Sequence, residues 1–125
     1  AVVLCAGLGS GALSGDGALK PMLGRVLHVP NTIGLEYSLH DDAAGPTGQV
    51  AYIFRFEDRL VLGGTFEPRA RAGDTAHDAQ GDDAGIIDRC RQLLRLDAQL
   101  NGGVGDRWNE LGRQVLERRW AMRPT

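Results

Sequence analysis

The clearest alternation of apolar and polar positions lies between residues 50 and 66 and predicts a β-hairpin. Side chains two residues apart share a face of a strand. The apolar faces carry Val50, Tyr52, Phe54 and Phe56 on the first strand, and Leu60, Leu62, Gly64 and Phe66 on the second. With Glu57-Asp58-Arg59 as the turn, Tyr52 lies opposite Gly64, where the missing side chain leaves room for the phenol ring. The hairpin therefore predicts an aromatic wall.

A second pattern, between residues 86 and 100, repeats at spacings of three and four and predicts an amphipathic helix. Its apolar positions are Ile86, Ile87, Cys90, Leu93, Leu94 and Leu100, and its water-facing positions are Arg89, Arg91, Gln92 and Arg95. Asp82 or Asp83 is placed to cap the first turn. Because one apolar helix face needs an apolar surface to cover, we expect this helix to pack on a sheet.

The remaining segments favour strands, turns and connections. Short strands are predicted at residues 1–6, 25–29 and 35–40, a loop at residues 41–49, and a long polar connection, either a lid or a surface excursion, at residues 67–83. Residues 106–122 fit a helix through Trp108, Leu111 and Val115, but residues 114–122 also fit a strand, and periodicity leaves both open. The predicted class is α+β: a mixed, largely antiparallel sheet with one packed amphipathic helix.

Composition narrows the possible functions. The chain has 125 residues and a formal net charge of −2, which suits one domain and gives no positive field to attract nucleic acid or an anionic membrane. Cys5 and Cys90 stand in apolar settings without a Cys-x-x-Cys pair, so we interpret them as buried thiols in a reducing compartment. The apolar start lacks a basic region and does not resemble a signal peptide. Because strand-like runs stand at both ends, we expect a segment of a longer protein.

Several common chemistries find no support in the spacing of their residues. His28, His40 and His77 share no ligand spacing, so no metal site is expected. Ser10 and Ser14 lack the glycines of a nucleophile elbow, which argues against a serine hydrolase. Residues 7–12 satisfy a relaxed Gly-x-Gly-x-x-Ala pattern, but glycines at 15 and 17 shorten the following helix. We interpret this segment as a strand-end turn that is compatible with lying beside a cofactor held mainly elsewhere.

The residues next to each arginine in the sequence indicate whether its side chain faces solvent or binds a ligand. Strand alternation sends Arg55 to the face opposite Tyr52, where solvent is its expected partner, and Arg118 and Arg119 are interpreted as a solvated pair. Arg123 differs because it follows Trp120-Ala121-Met122 and precedes a proline. A guanidinium in apolar company normally needs a carboxylate or phosphate, so Arg123 is a candidate ligand-binding residue.

An ordered series of short motifs spans nearly the whole chain. The motifs are residues 2–9 (VVLCAGLG), 20–26 (KPMLGRV), 51–54 (AYIF), 62–66 (LGGTF), 89–90 (RC), 94–97 (LRLD) and 122–124 (MRP). In this order and spacing they resemble the middle and later part of flavin-dependent D-amino acid oxidases, a family whose relatives act on D-aspartate, glycine and sarcosine.

The resemblance implies a domain division and a set of site residues. Residues 1–24 would be the end of an FAD-binding domain, with Ala6 and Gly7 near FAD, and residues 25–125 would be a substrate-binding domain. Tyr52 and Arg123 would hold the substrate carboxylate, and Phe66 would line the side-chain pocket. The resemblance also favours a strand, rather than a helix, at residues 114–122.

The implied reaction transfers a hydride from the substrate Cα to the flavin, and the imino acid hydrolyses to a keto acid and ammonia. Oxygen reoxidises the flavin and gives hydrogen peroxide. The implied partners are a D-amino acid and oxygen, with a homodimer or a complementing chain as further candidates, in the cytoplasm or the peroxisome.

The chain also departs from the family pattern. Gly48 stands where animal members carry a second tyrosine, and Arg55 stands where proline is frequent. The N-terminal glycine-rich unit and the final flavin-contacting segment lie outside these residues, so the chain cannot hold FAD alone. A second hypothesis therefore stays open, in which the chain is a non-catalytic binding module derived from the oxidase substrate domain.

Overall fold

The computed structural model describes residues 5–15, 17–42, 50–68 and 82–124. Two helices and six strands follow one another along them. The helices are α1 (Ser10–Ser14) and α2 (Asp83–Asn101), and the strands are β1 (Pro21–Pro30), β2 (Leu39–Asp41), β3 (Ala51–Arg55), β4 (Arg59–Gly63), β5 (Glu67–Pro68) and β6 (Glu117–Pro124). Two 3₁₀ turns, Gly7–Gly9 and Gly105–Glu110, precede α1 and follow α2. None of the described helices combines the length and apolar composition needed to cross a membrane.

The strands form one antiparallel sheet around β1. β6 pairs along one side of β1, while β4 and β5 pair with its C-terminal and N-terminal parts on the other side. The β3 strand joins β4, and β2 follows at the edge. The sheet with its single long helix confirms the α+β class, and all pairings among the described strands are antiparallel.

The core lies between α2 and one face of the sheet. Alternate residues of β1, among them Leu23, Leu27 and Val29, are buried on this face. Ile86, Cys90 and Leu94 of α2 are fully buried against them. The helix begins where the capping signal predicts, because Asp82 Oδ1 accepts a hydrogen bond from the backbone N–H of Gly85. The opposite face of the sheet is not covered by α2 and is called the open face below.

Three predicted helix positions are wrong, those of Leu100, Arg89 and Arg91. Leu100 is 72% exposed, although it lies within α2, which ends one residue later. The buried position near this end of α2 belongs to Asp97, whose carboxylate accepts hydrogen bonds from Tyr37 Oη and Asn101 Nδ2. Arg89 does not face water either: its guanidinium turns toward the sheet and donates to the backbone of Gly64. Arg91 does not face water only, because its Nε donates to the carbonyl of Leu111.

The hairpin exists, but its predicted register is wrong by one residue. Tyr52 pairs with Gly63 and not with Gly64. The backbone N–H of Phe56 donates to the carbonyl of Arg59, so the turn is Glu57-Asp58 and Arg59 already belongs to β4. A turn shorter by one residue moves its centre and shifts every cross-strand pair.

Other segments test the remaining predictions. The apolar pattern of residues 114–122 fits either a helix or a strand, and the structure has the strand β6 at Glu117–Pro124. Of the predicted strand at residues 35–40, only residues 39 and 40 are extended, as part of β2. Cys5 is exposed rather than buried. The loop at residues 43–49 and the connection at 69–81 lie outside the described residues, as do residues 1–4 of the first predicted strand.

Candidate functional site

The open face gathers residues from four strands because the register aligns their alternate positions. On β1 it carries Gly24, Val26 and His28, and the cross-strand partners on β6 are Ala121, Arg119 and Glu117. Across β4, Val61 pairs with both His28 and Phe54, which places the β3 residues Tyr52 and Phe54 on the same face. Aromatic, cationic and small side chains therefore meet on a surface that α2 leaves uncovered.

A cavity of about 300 Å³ lies beside Tyr52 on this face. It is lined by Gly24, Val26, Tyr52, Arg119, Trp120 and Ala121. The absence of a side chain at position 24 and the single methyl group at position 121 leave space between the strands. The cavity combines one phenol, one guanidinium and an apolar wall, which suits a small ligand that carries an anionic group.

Tyr52 is held in place by glycines and by a neighbouring ring. Its ring stacks on Phe54 with centroids 4.8 Å apart. A Cβ added at Gly63 would lie 2.1 Å from Tyr52 Cζ, and one added at Gly64 would lie 2.8 Å from Tyr52 Cε1. Both glycines are needed for the ring to occupy this position. The predicted space for Tyr52 is thus present, with Gly63 as the closer neighbour.

A wider cavity of about 630 Å³ adjoins the first and shares Arg119 with it. Its lining consists of His28, Phe54, Phe56, Glu57, Asp58, Arg59, Val61 and Arg119. Phe54 and Phe56 are half-exposed here, so apolar surface continues from the Tyr52 cavity to the hairpin turn.

Arg119 is the site residue that the sequence analysis missed. The sequence predicts a solvated pair of Arg118 and Arg119, and both side chains are more than half exposed. They lie on opposite faces, however: Arg118 donates to Asp83 at the start of α2, while Arg119 lines both open-face cavities. Arg119 Nε donates to Glu117 Oε1 at 2.8 Å, and this hydrogen bond holds the pKa of the Glu117 carboxyl below its usual value. Alternation within the predicted strand 114–122 was the signal that separates residues 118 and 119.

Arg123 lies in the same backbone row as Arg119. The register pairs Arg123 with Met22, two positions beyond the pair of Ala121 and Gly24. The Arg123 side chain lies outside the described part of the structure. With strands about 4.8 Å apart and a rise of about 3.4 Å per residue, the backbones of Tyr52 and Arg123 are roughly 20 Å apart across three strand spacings. Whether these two side chains converge on one ligand stays a prediction.

The other predicted site residues lie at the edges of this surface. Phe66 is 49% exposed and stands between β4 and β5. Ala6 and Gly7 are exposed at the 3₁₀ turn that contacts β6, and Gly7 adopts a φ of +55°. As predicted, Arg55 is exposed on the far side of the alternation from Tyr52, and its backbone N–H donates to Ser38 Oγ. The described residues contain no cluster of side chains that could hold a metal ion.

Comparison with protein-family models and with curated proteins gave no match for this chain. The likeness to oxidases therefore rests on the ordered motifs of the sequence, and the function is argued below from those motifs together with the open face.

Proposed function

We propose that this chain forms the substrate-binding part of a flavin-dependent oxidase that converts D-amino acids to keto acids, ammonia and hydrogen peroxide. The observation that carries the proposal is the open-face cavity lined by Tyr52 and Arg119, with Arg123 four residues farther along the same backbone row of β6. The ordered oxidase-like motifs support a D-amino acid as the substrate class, and a cavity of about 300 Å³ supports a small ligand.

The chemistry of the cavity suits an amino acid carboxylate. A guanidinium can donate two parallel hydrogen bonds to a carboxylate, and a phenol can donate a third. Arg123 and Tyr52 are the residues assigned to this task, with Phe66 as the wall of the side-chain pocket. Because about 20 Å separate the two backbones, both side chains must lean along the sheet toward a shared ligand. Fixing the carboxylate in this way orients the substrate Cα, and orientation supplies much of the rate in such reactions.

FAD is the cofactor of this proposal, and the described residues offer only part of a place for it. Gly24 and Ala121 have little or no side chain, so they leave space beside Tyr52 in which the planar isoalloxazine ring of FAD would need to lie. However, α1 has only five residues and ends at Gly15 with a φ of +73°, whereas a pyrophosphate site of the dinucleotide type needs a longer helix. The described residues thus do not fit a complete FAD site. The redox chemistry is assigned to FAD bound mainly by other parts of the complete enzyme.

The test of the activity uses the purified full-length protein, in which the other parts of the proposed enzyme can hold the cofactor, after incubation with FAD. Retained flavin gives the visible absorption of the oxidised cofactor, and a peroxidase-coupled assay measures hydrogen peroxide formed from D-alanine against L-alanine. We expect flavin retention and peroxide from the D-isomer alone. Absence of both overturns the oxidase and favours the binding module, which the half-exposed aromatic side chains of the open face would also suit.

A second set of variants tests the assigned residues. Arg123→Leu and Tyr52→Phe are expected to lose most activity toward D-alanine, whereas Arg55→Leu should change it little, because Arg55 lies on the far side of the alternation. Arg119→Leu distinguishes the two arginine positions of the row. If Arg119→Leu removes activity and Arg123→Leu does not, the carboxylate ligand is Arg119. Equal losses in the Arg123 and Arg55 variants would refute the alternation argument.

A further inference from the structure

The glycine segment beneath Tyr52 is fixed from the opposite side of the sheet. Gly63 ends β4, and Gly64 follows it through a cis peptide bond. Neither residue has a side chain to pack, and the last ladder contact, from Gly64 N–H to the carbonyl of Val50, is long at 3.4 Å. The backbone here needs other partners if it is to keep its position under the phenol ring.

Helix α2 provides these partners. Arg89 Nη2 donates to the carbonyl of Gly64 at 3.1 Å, and the thiol of Cys90 lies 3.6 Å from the carbonyl of Gly63 and 3.4 Å from that of Tyr52. The Arg89 side chain is only 13% exposed. A guanidinium is a strong donor, and its fixed fork lets it hold a carbonyl in a defined place.

Arg89 is itself oriented by the start of its helix. Its Nη1 lies 3.2 Å from Asp82 Oδ2, and Asp82 also caps α2 through Gly85. One carboxylate thus fixes both the first turn of the helix and the direction of the guanidinium. Hydrogen bonds link Asp82 to Arg89 and Arg89 to the Gly64 carbonyl, and Gly64 lies so near the Tyr52 ring that an added Cβ would be 2.8 Å from Cε1.

We infer that Arg89 is a positioning residue for Tyr52, acting through the Gly63–Gly64 backbone and touching no ligand itself. When the guanidinium is removed, the Gly64 carbonyl loses its partner, the glycine segment moves, and the ring that rests on it shifts. This inference concerns the placement of Tyr52 and stands whether or not the protein is an oxidase; its consequence for substrate rests on the proposed function.

The experiment uses ¹⁹F NMR of the purified protein labelled with fluorotyrosine. This chain has two tyrosines, so Tyr52→Phe and Tyr37→Phe assign the two resonances. The variant is Arg89→Gln and the matched control is Arg91→Gln, because Arg91 lies on the same helix and donates from Nε to a backbone carbonyl, that of Leu111, at 3.0 Å. We expect Arg89→Gln to shift or broaden the Tyr52 resonance alone, Arg89→Lys to restore it partly, and Arg91→Gln to leave it unchanged.

An unchanged Tyr52 resonance in folded Arg89→Gln overturns the inference, and so does an equal change in the Arg91 variant. If Arg89→Gln does not fold, Arg89→Lys carries the same test, because an ammonium can reach one carbonyl but cannot also hold Asp82 in a planar fork. In an active oxidase we further expect a several-fold rise in the KM for D-alanine with a smaller change in kcat. A shifted resonance, together with no peroxide formed from D-alanine by the full-length protein supplied with FAD, would support the positioning role and refute the proposed function.

Discussion

Replacing Gly63 by alanine gives a direct test of how the open face is built. The φ of Gly63 lies outside the left-handed region, so alanine adds no strain of that kind, but its Cβ would lie 2.1 Å from Tyr52 Cζ. The ring must move or the strands must separate. Inserting a methyl group into a well-packed place typically costs about 1–3 kcal/mol of unfolding free energy. Gly17→Ala is the control, because a Cβ there has nothing within 4 Å and its φ is ordinary.

The assay is urea unfolding followed by far-UV circular dichroism. With a slope of about 2 kcal/mol per molar urea, Gly63→Ala should lower the midpoint by about 0.5–1.5 M, while Gly17→Ala should leave it unchanged or raise it slightly. A double-mutant cycle with Tyr52→Ala isolates the contact, since in that background the added methyl group has room. If Gly63→Ala destabilises the protein equally with and without the Tyr52 ring, the clash is not the cause and the reasoning fails.

The other predictions concern the core and two ionisable groups. Leu94→Ala should cost about 2–5 kcal/mol in urea unfolding because Leu94 is fully buried, whereas Leu100→Ala should cost under about 0.5 kcal/mol; comparable losses would contradict the assigned helix face. Burial raises the pKa of the Cys90 thiol to about 12, so maleimide at neutral pH should label Cys5 in the native protein and Cys90 only after unfolding, as peptide mass spectrometry would show. The hydrogen bond to a buried aspartate raises the pKa of Tyr37 above 10.0, so the folded state binds this proton more tightly than the unfolded chain. Its contribution is complete below pH 10.0 and is lost as the pH rises through the folded pKa, and Tyr37→Phe should remove that part of the alkaline loss of stability.

Local patterns in the sequence predicted the helices and strands more accurately than they predicted which residues of those elements contact one another. The apolar period fixed α2, and Asp82 caps it as expected because capping depends only on residues one turn apart. The predicted hairpin register is wrong because the sequence of this hairpin allows a turn of either two or three residues. The two turns differ in whether Arg59 belongs to the turn or pairs with the neighbouring strand, and in the structure it belongs to β4. The polar character of Arg89 predicted exposure, yet a carbonyl 25 residues away in the chain receives its hydrogen bond. Only the folded sheet brings that carbonyl near.

The candidate site, too, could be predicted only where local sequence patterns decide the structure. Tyr52 and the space beside it could be inferred from the alternation in β3 and from the neighbouring glycines. Arg119 could not be ranked above Arg118 before the segment around them was known to be the strand Glu117–Pro124, because neighbouring side chains point only about 100° apart in a helix but to opposite faces in a strand. The pairing of β6 with β1 is a long-range contact, and local periodicity carries no information about it.

Among the described elements, α2 covers only one side of the sheet, and this separates the residues that hold the protein together from those that can meet a ligand. Changes at positions such as Val26, Val61 and Ala121 reshape the exposed surface while the buried leucines beneath stay untouched. Ligand specificity can therefore change during evolution, or be altered in the laboratory by randomising these positions, while the buried core that stabilises the fold stays the same. The glycine pair beside Tyr52 is the exception, because this backbone segment contacts α2 on the core side and leaves room for the Tyr52 ring on the open face.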